Sequence, residues 1–227
     1  MTLSLKKTPL HSLHVSAGAK MVPFAGWEMP IEYTGVVAEH MAVRTSAGIF
    51  DVSHMGEIEI RGKDALHLVQ KVTTNNAAKL AMNQAHYSAL VYPEGTFVDD
   101  LLVYRLAEDH FLLCVNAANA DKDYEYIRSH AAGNVEVLNT GEAFAQISIQ
   151  GPKAISILQK MTACELSGIK YYWFRHVDLE GEQVIAARTG YTGEDGFEFF
   201  CKPEPLISLF VGKQELAAAK GSAHAFD

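Results

Sequence analysis

The sequence predicts an α+β fold built of mixed or antiparallel sheets with flanking helices. Two observations carry this. Strand-like and helix-like runs come in mixed order, not in the strict alternation that a parallel βαβ array needs. Residues 86–92 and 97–106 also read as neighbouring strands across a Pro93-Glu94-Gly95 turn, a hairpin signature.

Taken in order, residues 19–34 are turn-rich, with Pro23, Gly26, Trp27 and Pro30. Residues 35–47 read as a helix with Val36, Val37, Met41 and Val43 as its apolar positions and Gly48 as a C-cap candidate. Residues 57–61 alternate polar and apolar, as a strand does. Residues 63–72 read as a helix with Leu66, Val69 and Val72 inward. Residues 110–115 form another strand, and 119–132 a helix with Asn119 as N-cap. A strand over 144–150 leads to Pro152, a favoured first residue for a helix running to about Thr162 with Ile155, Leu158 and Met161 on one stripe. Strands over 173–178, 183–189 and 196–201 complete the set. The best composition breaks fall at 53–56 and 131–141, and there is no internal repeat or low-complexity tract.

The chain has 227 residues, of which 48% are hydrophobic and 20% charged, ordinary values for a soluble globular protein. The net charge of −8 argues against a nucleic-acid or anionic-membrane partner, which needs a basic surface to displace counterions. No apolar run reaches the length that spans a bilayer. Lys6-Lys7 is not followed by the apolar core of a secretory signal. Cys114, Cys164 and Cys201 form no CxxC pair, which argues against a zinc or disulfide framework and suits a reducing compartment. Cys114 lies in an apolar strand-like run and reads as an inert buried thiol.

The most informative stretch is Val98-Asp99-Asp100-Leu101-Leu102-Val103-Tyr104-Arg105-Leu106. Side chains alternate along a strand, so Asp99 and Asp100 point opposite ways. The more uniformly apolar face, with Val98, Leu102, Tyr104 and Leu106, carries Asp100. A carboxylate there is costly unless paired. It is either a strand-end Asp capping the preceding turn or a carboxylate held for a ligand. His54, after Phe50-Asp51-Val52-Ser53, has no second ligand at metal spacing and reads as a structural histidine or a general acid. Met55 lines a pocket or fills the core. The run Arg188-Thr189-Gly190-Tyr191-Thr192-Gly193-Glu194-Asp195-Gly196 fits neither nucleotide-loop pattern and reads as a glycine-rich hairpin or a close approach to a ligand. Glu198 beyond it shares a face with Phe200, again a carboxylate beside apolar surface. Gln150-Gly151-Pro152 is a strand-to-helix corner that requires no chemistry.

Read together, Phe24-Ala25-Gly26-Trp27-Glu28-Met29-Pro30, Phe50-Asp51-Val52-Ser53-His54-Met55, Asp99-Asp100-Leu101, Val115-Asn116-Ala117-Ala118-Asn119, Gln150-Gly151-Pro152 and Arg188-Thr189-Gly190-Tyr191-Thr192-Gly193-Glu194 occur in this order in one family. The chain resembles the aminomethyltransferases (T-proteins) of the glycine cleavage system over roughly residues 7–209. The resemblance implies a T-protein-like folate-binding fold lacking most of the C-terminal domain. Residues 1–54 with 141–209 would form a first, discontinuous subdomain, residues 55–140 a second α+β subdomain, and residues 210–227 a remnant of a later segment.

It also implies a reaction. An aminomethyl group on the lipoyl arm of H-protein gives its one-carbon unit to tetrahydrofolate, with release of ammonia. Asp100 matches the family's catalytic carboxylate beside the pterin of folate, and Glu198 a second folate-holding carboxylate. Met55, Tyr87, Asn116, Tyr171 and Tyr191 match pocket positions. A pterin offers N–H donors that carboxylates accept well, and a carboxylate near the reacting nitrogens stabilises a cationic iminium as ammonia leaves. Neither metal nor pyridoxal phosphate is implied, and the partners are lipoylated H-protein and tetrahydrofolate, not nucleic acid or membrane. The resemblance places the chain in the cytoplasm, or in the mitochondrial matrix of a eukaryote.

One departure concerns the end of the chain. The family continues past Leu209 through an Ala-Arg-Asp-type run whose arginine helps hold folate, whereas this chain reads Phe210-Val211-Gly212-Lys213-Gln214-Glu215-Leu216. That run resembles a piece the family places further on, as after an internal deletion. A non-catalytic folate-binding module, a detached demethylating domain and an inactive fragment are therefore alternatives to the transferase. The Lys-Gly-Cys-Tyr-type run of the non-catalytic relatives is absent, and the Gly190-Tyr191-Thr192-Gly193-Glu194 run favours the transferase.

Overall fold

The computed structural model describes residues 4–204. The residues read above as a remnant, 210–227, lie outside them. Met55–Glu142 forms one compact unit, and the described residues before and after it form another.

The N-terminal part of the flanking unit starts with a short helix, α1 (His11–Ser16), and a hairpin of β1 (Lys20–Phe24) and β2 (Trp27–Glu32). The hairpin turns at Ala25 and Gly26, both with positive φ, as the tight two-residue turns that match strand twist require. Pro23 and Pro30 made this segment read as turns. They are tolerated because a two-stranded sheet is all edge. Helix α2 (Val36–Thr45) follows, but only one of its four apolar positions is on the buried face: Val43 is buried together with Glu39, while Val36, Val37 and Met41 are exposed. Glu39 turns inward because its Oε1 accepts the backbone N–H groups of Tyr33, Thr34 and Gly35 at 2.7, 2.6 and 3.2 Å, capping the chain as it enters the helix. Gly48 does not cap α2. It opens β3 (Gly48–Asp51) instead.

The central unit holds β4 (Gly56–Arg61), α3 (Ala65–Val72), β5 (Gln84–Val91), β6 (Phe97–Ala107), β7 (His110–Val115), α4 (Ala120–Ser129) and β8 (Glu136–Asn139). Its five strands are antiparallel in the order β5-β6-β7-β4-β8. Strand β8 lies in what the composition marked as a break, and pairs with β4 at the sheet edge. Leu68, Val69 and Val72 of α3 and Ile127 of α4 pack on Leu101, Val103, Phe111 and Leu113. Full burial of each such side chain contributes about 1.5–3 kcal/mol.

This packing corrects the reading of β6. The helix-covered face is the one carrying Asp99, Leu101 and Val103, so Asp99 is the buried carboxylate, at 7% exposure, and Asp100 is half-buried on the other face. The composition of one strand does not reveal which face its helices will cover. A register shift between Leu90 and Val91 also leaves Val98 as an extra residue, so Val98 and Asp99 are buried consecutively.

The chain then returns to the first unit with β9 (Ala145–Gln150), α5 (Ala154–Leu158), β10 (Phe174–Leu179), β11 (Glu182–Ala187) and β12 (Gly196–Cys201). These strands and β3 form an antiparallel sheet in the order β10-β11-β12-β9-β3. Helix α5 is shorter than its sequence pattern: it begins at Ala154 with Lys153 as its N-cap, so Pro152 lies before the helix and is not its first residue. Ile147 and Ile149 of β9 and Phe197 and Phe199 of β12 build the core with Leu158 and Leu166. The opposite parity of β9 carries Gln146, Ser148 and Gln150, all buried.

Candidate functional site

In the central unit, three of the residues singled out from the sequence meet directly. Asp100 stands opposite Ala89 on β5, which sets Tyr87 diagonally across from it. The Tyr87 hydroxyl donates to Asp100 Oδ2 at 3.0 Å. Asn116, just past β7, donates from Nδ2 to Asp100 Oδ1 at 3.1 Å and to the Asp100 carbonyl at 3.2 Å. Met55 precedes Gly56, which pairs with Val115, so half-buried Met55 lies at the same end of this sheet as Asn116. Asp100 keeps acceptor capacity, because a carboxylate offers about four lone pairs.

The sequence reading missed the layer behind Asp100. The same Asn116 Nδ2 donates to Asp99 Oδ1 at 3.1 Å, and Asn119 Nδ2 donates to that oxygen at 2.9 Å. Asn119 sits at the N-cap position of α4, but its side chain makes no cap hydrogen bond. Burial raises the Asp123 carboxyl to about 8, and Asp99 and Asp100 push the same way against Lys122. The spacing Asn116, Asn119, Asp123 was the available signal, since Asn119 and Asp123 fall on one helix face four residues apart.

In the other unit, Glu198 of β12 faces Ser148 of β9 and Ala187 of β11. The Thr189 hydroxyl donates to its Oε2 in a short hydrogen bond, and Gln146 Nε2 donates to Oε1 at 3.4 Å. Burial raises the Glu198 pKa, and the Thr189 bond pulls it the other way. Tyr172, not singled out from the sequence, has a positive φ of 62°, an uncommon conformation for a bulky residue. Its phenol pKa is raised by burial first, then by Tyr171 and by Glu198, which puts it within electrostatic reach of both. Tyr171 and Tyr172 meet edge-to-face at 4.6 Å.

Tyr191 is set apart at 75% exposure in the glycine-rich loop. That loop is a built structure. Arg188 grips Asp195 through Nε to Oδ1 at 2.8 Å and Nη2 to Oδ2 at 2.6 Å, and Arg44 Nη1 donates to the Thr192 carbonyl at 2.6 Å. The buried Gln150 amide donates to Ser148 Oγ at 3.1 Å and the Thr189 carbonyl at 3.0 Å, and accepts from Thr192 Oγ1 at 3.0 Å. The corner read as chemically idle therefore anchors the loop. His54 is buried with its ring edge-on to Phe24 at 5.6 Å. No group of three or more His, Cys, Asp or Glu side chains among the described residues is arranged to hold a metal ion, and no described helix is long and apolar enough to cross a membrane.

A family model described as the GCVT N-terminal domain matches residues 10–221. The chain belongs to this family. This GCVT-domain chain is 48% identical over 218 residues to an aminomethyltransferase of Desulfitobacterium hafniense strain Y51, covering 96% of this chain and 60% of that one. An aminomethyltransferase of Anoxybacillus flavithermus strain WK1 is also 48% identical, over 93% of this chain and 60% of its own. The GCVT-domain chain thus spans about 60% of the length of these relatives. The crystal structure of the glycine cleavage system aminomethyltransferase T from Bartonella henselae superposes with a TM-score of 0.85 at 34% identity, covering 93% of this chain and 58% of that one. A chain of the heterotetrameric sarcosine oxidase of Corynebacterium sp. U-96 superposes at 0.64 with 13% identity over 95% of both chains, a likeness of fold alone.

Proposed function

We propose that this chain is a tetrahydrofolate-dependent aminomethyltransferase that takes an aminomethyl group from lipoylated H-protein, releases ammonia and passes the one-carbon unit to tetrahydrofolate. The observation that carries this reading is the anchored carboxylate of Asp100. It is held by Tyr87 and Asn116, is only half-buried, and retains lone pairs for an N–H donor. An acceptor set of this kind fits the N–H-rich edge of a pterin. Tetrahydrofolate supplies the nitrogen that accepts the one-carbon unit. Asp100 orients that ring and stabilises positive charge developing beside it. Tyr87 and Asn116 hold Asp100, and Met55 offers a thioether to an aromatic face. Glu198, with Thr189 and Gln146 each on one of its oxygens, is the second folate-holding carboxylate. Tyr171 and Tyr191 offer exposed rings for contact.

A chain of a heterotetrameric sarcosine oxidase shares the fold, so the fold alone does not choose between the transferase and the demethylating alternative. The 48% identity to aminomethyltransferases favours the transferase. This reading puts the chain in the cytoplasm, or in the mitochondrial matrix of a eukaryote, with its carrier protein. The test is calorimetry and thermal shift with tetrahydrofolate at millimolar concentration, followed by a transfer assay from aminomethyl-lipoyl H-protein. Heat, a raised melting point and methylenetetrahydrofolate are expected. No heat and no shift would overturn folate binding. Binding without transfer would leave a non-catalytic folate module.

A further inference from the structure

Behind Asp100 lies a buried acid that the reading above does not use. Asp123 of α4 is 0% exposed, and no N–H or O–H donor among the described residues hydrogen-bonds either of its oxygens. The nearest cation, Lys122 Nζ, stands 3.9 Å from Oδ1 and gives its hydrogen bond to the Val98 carbonyl at 2.5 Å. An ionised Asp123 would be an uncompensated buried charge beside two further carboxylates, an arrangement that costs far more than holding a proton. Asp99, the side chain that after burial pushes the Asp123 carboxyl up most, provides the place for that proton. Its Oδ1 already accepts from Asn119 and Asn116, whereas Oδ2 receives only the Asn116 backbone N–H at 3.4 Å.

We propose that Asp123 is a positioning residue for Asp100: a neutral carboxylic acid that donates to Asp99, which in turn holds Asn116 and through it the Asp100 carboxylate. Asn116 Nδ2 is the link, 3.1 Å from both Asp99 Oδ1 and Asp100 Oδ1. A second negative charge at Asp123 would pull on the same donors and raise the electrostatic cost of an ionised Asp100. With the proton in place, one formal charge fewer lies behind the reacting carboxylate. The groups facing Asp123 are Asp99 and Asp100 from β6 and Lys122 from its own helix, and burial with the two aspartates outweighs the lysine, holding the proton up to about pH 8. The role in transfer rests on the aminomethyltransferase reading, but the protonation does not.

Asp123→Asn mimics the protonated acid, with its amide donating to Asp99. The substrate-free arm compares thermal unfolding of the wild type and Asp123→Asn from pH 5 to 9. The folded wild type holds a proton that the unfolded chain releases, so wild-type stability falls relative to the variant up to about pH 8 and then levels. A melting difference that does not change with pH overturns the neutral acid. In a protein labelled at the aspartate carboxyl carbons, the Asp100 resonance moves as Asp123 titrates in the wild type and stays still in Asp123→Asn. A still resonance in both overturns the link to Asp100. In the transfer assay, Asp123→Asn keeps turnover within about twofold and lacks the wild-type loss above pH 8. Asp123→Ala loses about tenfold or more in kcat with little change in the KM for tetrahydrofolate. Loss in Asp123→Asn equal to that in Asp123→Ala overturns the positioning role. If the wild type transfers nothing, the aminomethyltransferase reading fails, and the unfolding and resonance arms still decide this one.

Discussion

Tyr87 reaches Asp100 diagonally across the β5–β6 ladder, its hydroxyl 3.0 Å from Oδ2, while the residue directly opposite Asp100 is the small Ala89. The tyrosine fixes the orientation of the carboxylate from the side. Tyr87 is 52% exposed, so its ring contributes little to the core. Tyr87→Phe is expected to leave the melting point unchanged and to weaken tetrahydrofolate binding about two- to tenfold. That is the worth of one hydrogen bond of about 0.5–1.5 kcal/mol. Calorimetry on the two proteins measures it, and an unchanged Kd would show that Asp100 needs no such restraint.

The neighbouring aspartates are expected to separate stability from turnover. Asp100→Asn removes the charge from a half-buried site. It should unfold within about 1 kcal/mol of wild type but lose on the order of a hundredfold in turnover. Asp99→Asn replaces an acceptor of three hydrogen bonds with a group that is half donor, in a buried network. It should lose about 1–3 kcal/mol in urea unfolding. A stable Asp99→Asn would mean that the network behind Asp100 relaxes freely.

Local patterns made much of this architecture legible. The turn at Pro93-Glu94-Gly95, the alternation of residues 57–61 and the apolar run at residues 110–115 each declare a strand from their own residues, and the structure has strands there. What escaped was set by distant partners. The β1–β2 hairpin hides behind two prolines that only an edge tolerates. The buried side of α2 is set by Glu39, with the N–H groups it caps, and by Val43, not by Val36 and Val37. The face of β6 depends on where α3 and α4 land. Around the candidate site, Glu198 stood out because a carboxylate beside apolar residues is costly in itself, whereas the same argument made for Asp100 belongs to its buried neighbour Asp99. Asp123 and Asn119 did not stand out, since on a helix they pass for solvated and capping residues until the strand opposite is known.

The glycine-rich loop offers a test of whether its backbone or its exposed tyrosine matters. Gly190 has a φ of 155°, and a Cβ there would run into the Gln150 amide. That amide ties together Ser148, Thr189 and Thr192, and Thr189 in turn holds Glu198. Gly190→Ala should therefore cost about 1–3 kcal/mol through backbone strain and a displaced amide, and should weaken folate binding as well. Tyr191→Ala should leave stability within about 0.5 kcal/mol, as expected for an exposed side chain. Urea unfolding of the pair decides it. Equal stability in both would mean that the loop re-forms around the added methyl group.

His14 and Asp51 make the last test, because removing one reverses the pH response of the other. Asp51 is fully buried, and its Oδ2 lies 2.9 Å from His14 Nε2 while Oδ1 accepts the Ser53 N–H at 3.0 Å. Tyr33 bonds the other ring nitrogen at 2.6 Å. Burial alone would raise the Asp51 pKa, but the bonds and charge from His14, with Thr8 and Ser53, bring it below the usual carboxylate value. The folded value is thus lower than the unfolded one. Asp51 contributes stability that is present above about pH 4 and lost as pH falls through the folded value. In His14→Ala the burial remains and the partner is gone, so the folded value rises above the unfolded one. Stability from this group then falls as pH rises. The variant should unfold about 3–5 kcal/mol more easily at pH 7, the cost of stranding a buried charge, and should recover part of that loss near pH 4. Urea unfolding at both pH values measures the slope. A variant that loses stability equally at both would show that His14 acts by packing, and that Asp51 finds another partner.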